Sequence, residues 1–425
     1  MGENSKIGLK YLRVCSASVS AFSLTLAAAT ANAEPVSFDE AVARAVSTAP
    51  SIEARSFQVD AAESQLIPAD QLPDPKVSVD LLDQRVAGPF EPSLRPGRDG
   101  FPRTRIGLSQ EFPNGAKRRA RKDQAQSDIQ IAQAERYSEI QDVGLSTAMA
   151  WVELYYAGRR LNILNVLGQS LDELSATAAA RLESGAARPA QAFEPERLKA
   201  KLADRRAILM AETERARANL TRWTDIDNPE TRGGIPAIML DRQLLLAGIA
   251  DLPVLAVEQA RVARVEADID LARSEKRPDF GVNASFTQRR PEYGSYISVG
   301  VTIDLPIFAK KRQNPLINAR MLDANAARLE AQDLERQLVA QLSGDLASNR
   351  ALRENWERSR ETLVPLAKRQ AELERVSYGA GRIDLSTALN AAVALAEAEI
   401  DLLDREAAFV RDTVRIKFTY DRNLP

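Results

Sequence analysis

The sequence predicts a mainly α-helical chain with a small β part, built from one duplicated unit of helix, two strands, very long helix and helix. Three observations carry this. First, segments recur in the same order roughly 200 residues apart. Leu72-Pro73-Asp74-Pro75-Lys76-Val77 resembles Arg277-Pro278-Asp279-Phe280-Gly281-Val282 at an offset of 205 residues. Phe112-Pro113-Asn114-Gly115-Ala116-Lys117-Arg118-Arg119 resembles Leu305-Pro306-Ile307-Phe308-Ala309-Lys310-Lys311-Arg312 at 193, and Arg181-Leu182-Glu183-Ser184-Gly185 resembles Ser377-Tyr378-Gly379-Ala380-Gly381 at 196. Second, long stretches carry apolar residues at coiled-coil steps of three, four and seven. Third, four short stretches alternate apolar and polar residues with period two.

Composition narrows function before any motif does. The 425 residues contain no histidine and one cysteine. Ser-His and Cys-His catalytic pairs and imidazole metal sites are thereby excluded. Lys+Arg number 57 and Asp+Glu 59, so nothing favours nucleic acid as a partner. No catalytic residue, metal site or cofactor is expected.

Residues 1–33 read as a secretory leader. Lys6, Lys10 and Arg13 form its basic start, Val14 to Ala29 its apolar stretch, and Ala31-Asn32-Ala33 its cleavage pattern. The apolar stretch is shorter than the ~20 residues that a spanning helix needs. The single cysteine, Cys15, lies inside this leader and before its apolar stretch, so the exported chain is expected to carry no disulfide and no lipid on cysteine. No later segment reads as a transmembrane helix. The first repeat is expected over 34–225, a linker over 226–250 and the second repeat over 251–425.

The elements follow in order. Ser37-Phe38-Asp39-Glu40 fits a capping box that opens the first helix, which runs to about Ile67 with a kink near Pro50. The long helix of the first half spans about Ala116 to Ser184, with a seam of Leu145, Met149, Val152, Tyr156, Ile163, Leu167, Leu171 and Leu174. At ~1.5 Å per residue it is roughly 100 Å long. The second half repeats it from about Gln313 to Val376, with Leu338, Leu342 and Leu346, then Leu352, Trp356, Leu363, Leu366 and Leu373; Pro365 is a bend point. Gly185 and Gly381 are natural helix stops, each followed by a returning helix.

Strands are expected at about 76–83, 104–112, 280–288 and 296–305. Each is close to the ~9–11 residues of a tilted membrane strand. Phe280, Val282, Phe286, Ile297, Val299, Val301 and Ile303 fall on one face and are the candidate lipid-facing residues. Asn283, Ser285, Thr287, Ser298, Thr302 and Asp304 fall on the other. A half-buried soluble sheet would show the same alternation. The connections Gln84 to Arg103 and Gln288 to Ser295 are rich in Pro, Gly and Arg and suit outer loops. At the opposite strand ends, the clusters Lys117-Arg118-Arg119 and Lys310-Lys311-Arg312 stand where long helices begin. Cations there oppose the helix dipole. Anionic lipid headgroups at a membrane boundary would favour them, while a solvated charge run is the bland alternative. Four strands cannot close a barrel, and an open edge in lipid leaves backbone groups unpaired at several kcal/mol each. Membrane strands here would need several copies in one barrel, and three copies would leave room for a channel.

The plan and its motifs resemble the outer membrane factor (TolC-type outer membrane efflux protein) family. Ser37-Phe38-Asp39-Glu40-Ala41 with Ala49-Pro50-Ser51 is similar to the family's opening helix, and Tyr378-Gly379-Ala380-Gly381 with Leu385 and Leu389 to its hairpin tip. Leu72-Pro73-Asp74-Pro75 and Leu305-Pro306-Ile307-Phe308 with Arg312 look most like the CzcC-type heavy-metal efflux branch, with drug-efflux members close by. The resemblance implies a homotrimer with a twelve-stranded outer membrane barrel and a helical tunnel across the periplasm of a Gram-negative bacterium. It implies a periplasmic adaptor and an inner-membrane RND-type pump as partners, and outer membrane lipid around the barrel. Gly185, Tyr378 and Gly381 carry over as tip residues; Arg188, Arg382 and Asp384 are added by position as polar tip contacts. Gln191 stands where the family often has an Asp, which argues against a specific ionic gate. The expected function is a passive exit duct for heavy-metal cations, since this branch is matched best; a drug duct, a soluble periplasmic scaffold and, on the pair Asp225 and Asp227 alone, a periplasmic enzyme are the competitors.

Overall fold

The computed structural model describes residues 34–83, 103–183, 193–289 and 291–421. It is mainly helical with a small sheet component. Strand β1 (Glu34–Val36) leads into α1 (Phe38–Thr48) and α2 (Pro50–Ala69). The capping box forms: the Glu40 N–H donates to Ser37 Oγ at 3.4 Å, and the Ser37 N–H donates to Glu40 Oε2 at 2.9 Å. The expected kink is a full break, because extended Ala49 precedes Pro50, which starts α2.

Strands β2 (Lys76–Leu82) and β3 (Arg103–Phe112) follow, then α3 (Gly115–Glu183), α4 (Phe193–Thr224) and β4 (Pro229–Thr231). Asp225 closes α4 with φ +54. The second half runs α5 (Arg242–Gly248), α6 (Pro253–Ser274), β5 (Asp279–Gln288), β6 (Tyr296–Asp304), α7 (Gln313–Arg358), α8 (Val364–Gly379) and α9 (Leu385–Tyr420). Helix α3 packs along α2, α4, α6 and α9, so one long rod holds both halves together.

The α3 seam is the core. Val152, Tyr156, Leu167, Leu171 and Leu174 are buried, with Leu145, Met149 and Ile163 packed against them. Trp151 is fully buried, lies edge-on to Phe38 at 5.6 Å, stacks on Tyr155 at 5.3 Å, and donates its indole N–H to the Val36 carbonyl at 3.0 Å.

Three features differ from the sequence reading. The inter-repeat segment is not a plain linker: β4 pairs in parallel with β1, Glu34 opposite Pro229 and Val36 opposite Thr231. Residues 242–274 do pass the length and hydropathy test for a membrane helix, with mean hydropathy 1.3. They are instead broken before Pro253, and Leu245, Ile249 and Leu252 pack against Leu338, Leu342, Ile416 and Tyr420. Finally, the second-half seam divides. Leu338 and Leu342 are buried, while Leu363, Leu366 and Leu373 are exposed on the chain. Between them lies a π turn, Ser359–Leu363, where the Val364 N–H reaches back to the Ser359 carbonyl. Pro365 has no N–H to offer its own i−4 carbonyl, and the widened turn accommodates its ring. The added residue rotates the helix, so α8 presents its leucines outward.

Candidate functional site: ribbon, joint and tip

The four-stranded sheet has the order β2-β3-β5-β6 and is antiparallel throughout. Its registers carry the alternation across all four strands. Val77, Leu108, Ala284 and Val299 form one rung, and Val79, Ile106, Phe286 and Ile297 another. Phe112-Phe280-Ile303 and Gln110-Val282-Val301 complete the face. Phe280, Val282, Phe286, Ile297, Val299, Val301 and Ile303 are all exposed, between 42% and 74%, so a large apolar surface has no cover among the described residues.

The opposite face is polar and small. Ser78-Gly107-Ser285-Ser298 and Lys76-Ser109-Asn283-Gly300 are two of its rungs. A Cβ at Gly107 would sit 2.7 Å from Ser78 Oγ, and one at Gly300 would sit 2.7 Å from Asn283 Oδ1. Neighbouring side chains thus occupy the space that a Cβ would need at both positions. At the hairpin end, Arg103 ion-pairs with Asp83. Arg103 and Arg289 each donate to Tyr296 Oη at 3.4 Å, and the Arg289 guanidinium lies 4.6 Å over the Tyr296 ring.

At the other end the ribbon meets the helices through a joint centred on Asp279. Its carboxylate accepts the Asn114 backbone N–H and side-chain amide, each at 2.8 Å, and the Lys117 ammonium at 2.8 Å. The same Asn114 amide donates to the Ser274 carbonyl at 3.1 Å, and its oxygen accepts the Lys117 N–H at 2.9 Å. Lys117 and Asp279 are half-buried, each 23% exposed. Lys117 thus has a protein partner. Arg118 lies by Asp70, at 3.9 Å, and Arg119 returns to the Gly115 carbonyl at 3.3 Å. Lys310, Lys311 and Arg312 are exposed and make no ion pair among the described residues.

At the far end of α8, Gly381 has φ +74, and its N–H donates to the Tyr378 carbonyl while the Arg382 N–H donates to the Ser377 carbonyl. Asp384 caps α9, accepting the Thr387 N–H at 2.9 Å and the Thr387 hydroxyl at 2.6 Å. Arg382 is exposed. Tyr378 is 4% exposed and packs with Leu171, Leu174, Leu385 and Leu389, so its ring faces inward rather than toward a docking partner. Gly185 and Arg188 lie outside the described residues. Near the tip, the Arg375 guanidinium bonds Glu372 at 2.9 Å and 3.1 Å and holds that carboxyl below the usual range.

Further electrostatic ties hold α7 and α3 to α9. Asp345 accepts Arg415 at 2.8 Å and Tyr420 Oη at 3.0 Å. Hydrogen bonding by Arg415 holds the Asp345 carboxyl below its ordinary range; burial, then the bond to Asp345, pushes the Tyr420 phenol up to about 12. Burial likewise raises the Tyr156 phenol, which donates to Glu406 at 3.0 Å. Among the described residues no group of three or more His, Cys, Asp or Glu side chains is placed to hold a metal.

Residues 249–418 match the family model described as outer membrane efflux protein. That stretch carries the outer membrane efflux protein pattern, and the relatives extend the likeness beyond it. Two relatives come from Cupriavidus metallidurans. The nickel and cobalt resistance protein CnrC is 26% identical over 315 residues, covering 73% of each chain. The cobalt-zinc-cadmium resistance protein CzcC is 22% identical over 411 residues, covering 92% of this chain and 90% of that one. The fold is similar to that of the channel protein CusC, with a TM-score of 0.75 at 13% identity over 90% of this chain and 91% of that one. These likenesses are to transport conduits of the outer membrane and not to enzymes. The joint and the β1–β4 pairing were not among the expected site features. Only the recurrence of Pro-Asp in the two strand-entry motifs, Asp74 and Asp279, hinted at the joint.

Proposed function

We propose that the chain is the exit duct of a tripartite efflux system, with three copies sharing one twelve-stranded barrel. The observation that carries this is the ribbon: one uncovered apolar face, one small polar face, and two open edges. Lipid would cover the first, water the second, and neighbouring copies the edges. The exposed leucines of α8 would pack between copies, and the helices would continue the duct into the periplasm. The tip at Gly185, Arg188, Tyr378, Gly381, Arg382 and Asp384 would meet an adaptor and an inner-membrane pump, Tyr378 by shaping the turn and Arg382 by direct contact. Lys310, Lys311 and Arg312 would face headgroups at the membrane boundary.

The cargo is read as divalent heavy-metal cations, because CnrC and CzcC are both named for resistance to such metals. With no histidine anywhere and its only cysteine at Cys15, the wall would pass cations without holding them, and selection would fall to the partners. The test is purification from outer membranes, mass determination in detergent, and conductance in planar bilayers. A trimer that conducts is expected, along with a deletion strain sensitive to nickel, cobalt, zinc or cadmium. A monomer without conductance overturns the duct, and sensitivity to hydrophobic drugs alone overturns the cargo.

A further inference from the structure

The internal duplication, taken together with the observed registers, specifies how one copy meets the next. The two sequence offsets, 205 for the first strand of each hairpin and 193 for the second, carry Val77–Leu108 onto Val282–Val301 and Val79–Ile106 onto Ala284–Val299. All four are observed pairs. The hairpins are thus one unit in one register. The central seam, β3 against β5, joins the second strand of one unit to the first strand of the other. Its counterpart is β6 against β2, and these are the two edges of the sheet, which cannot meet within one chain.

We propose that β6 pairs with β2 of a second copy in the register inherited from the central seam, closed by two ion pairs between copies. This rests on the shared-barrel reading above. The same offsets turn Gln110–Val282 into Ile303 opposite Val77 of the partner subunit, and Leu108–Ala284 into Val301 opposite Val79 of the partner subunit. Ile106–Phe286 becomes Val299 opposite Leu81 of the partner subunit. Apolar residues meet apolar residues on every one of these rungs. On the polar face, Glu111–Gly281 becomes Asp304 opposite Lys76 of the partner subunit, a pair of opposite charge in which Asp304 shares an ammonium that already meets Glu111 of its own chain at 2.6 Å.

The joint repeats as well. Lys117 and Asp279 map onto Lys310 and Asp74. Asp74, Asp304 and Lys310 are exposed and, among the described residues, form no ion pair within the chain. In the proposed interface Lys310 meets Asp74 of the partner subunit, and Asp304 meets Lys76 of the partner subunit. Charge also fixes the register where hydrophobicity does not. A slip of one residue turns the apolar set to the wrong face. Slips of two keep the faces but set Asp304 against Asp74 of the partner subunit, a like-charge pair, or against Ser78 of the partner subunit. Ile307 stands in the place of Asn114, so the joint between copies lacks the amide clamp of the one inside the chain.

The test is cysteine cross-linking in the full chain in outer membranes, where Cys15 is replaced by serine. Val301→Cys with Val79→Cys is expected to give covalent dimers and trimers on oxidation, several-fold more than Val301→Cys with Val77→Cys or with Leu81→Cys. Asp74→Lys and Lys310→Asp alone are expected to lower the fraction of trimer that survives SDS, and together to restore it. Trimers of normal mass whose strongest cross-links fall at a slipped pair overturn the register and leave the duct intact. A single-chain mass in detergent overturns the shared-barrel reading itself. Absence of rescue in the double swap overturns the ion pair.

Discussion

Single residues set the turns and the clamps of this protein. Gly381 is the clearest case, because φ +74 is open to glycine and strained for other residues. Gly381→Ala is expected to cost about 1–2 kcal/mol, read as a lower Tm of the purified protein. Asp345 carries a pH dependence. Its folded pKa lies below its unfolded value because Arg415 and Tyr420 bond the carboxylate. The bonded form therefore contributes stability above the unfolded pKa of about 3.9 and loses it as pH falls through the lower folded value. Asp345→Asn is expected to lower the Tm at pH 7, and the gap to wild type should close below about pH 4. A gap that persists unchanged at pH 3 would show that the effect is steric.

Elements explain what was legible in the sequence and what was not. The alternation in β5 and β6 and the steps of the α3 seam are local periodicities, and they appear where their residues stand: Val299 and Val301 on an apolar face, Leu171 and Val152 in the core. The β1–β4 pairing was hidden because three-residue strands far apart in sequence carry no periodicity. The π turn was hidden for a related reason, since Leu363, Leu366 and Leu373 continue a heptad spacing on paper while one extra residue per turn rotates them away from the core. The tip motif showed where the turn lies but not that Tyr378 points inward, because a motif gives position and only packing gives direction. Leu366→Gln with Leu373→Gln is expected to leave the helical circular dichroism of the chain unchanged and to shift its mass in detergent from trimer toward monomer. A loss of helical signal would place these leucines in the core of the single chain instead.

At the scale of the whole molecule, the two-faced ribbon decides where each kind of substitution is tolerated. Val301 and Thr302 are neighbours in β6 on opposite faces. Val301→Arg on the apolar face is expected to cost about 2–4 kcal/mol near the middle of a bilayer and to reduce the protein recovered in outer membranes. Thr302→Arg on the polar face should leave recovery near wild type and change single-channel conductance. Equal loss from both would remove the distinction between faces. The joint at Asp279 ties this ribbon to the helices, because its carboxylate holds Asn114 and Lys117 at the start of α3 while the Asn114 amide reaches the Ser274 carbonyl at the end of α6.

The pairing of β1 with β4 has a consequence for how such a chain could arise. It brings the beginning of the first half beside its end, Glu34 next to Pro229. The segment leading into the second half likewise lies beside the end of α9, with Leu245, Ile249 and Leu252 packed on Ile416 and Tyr420. Each half finishes at the level where it started. A gene segment encoding such a closed unit can be copied in tandem with only a short bridge, and neither copy has to be rerouted. One small parallel pairing, by setting the two ends of a module side by side, is enough to make such doubling sterically simple.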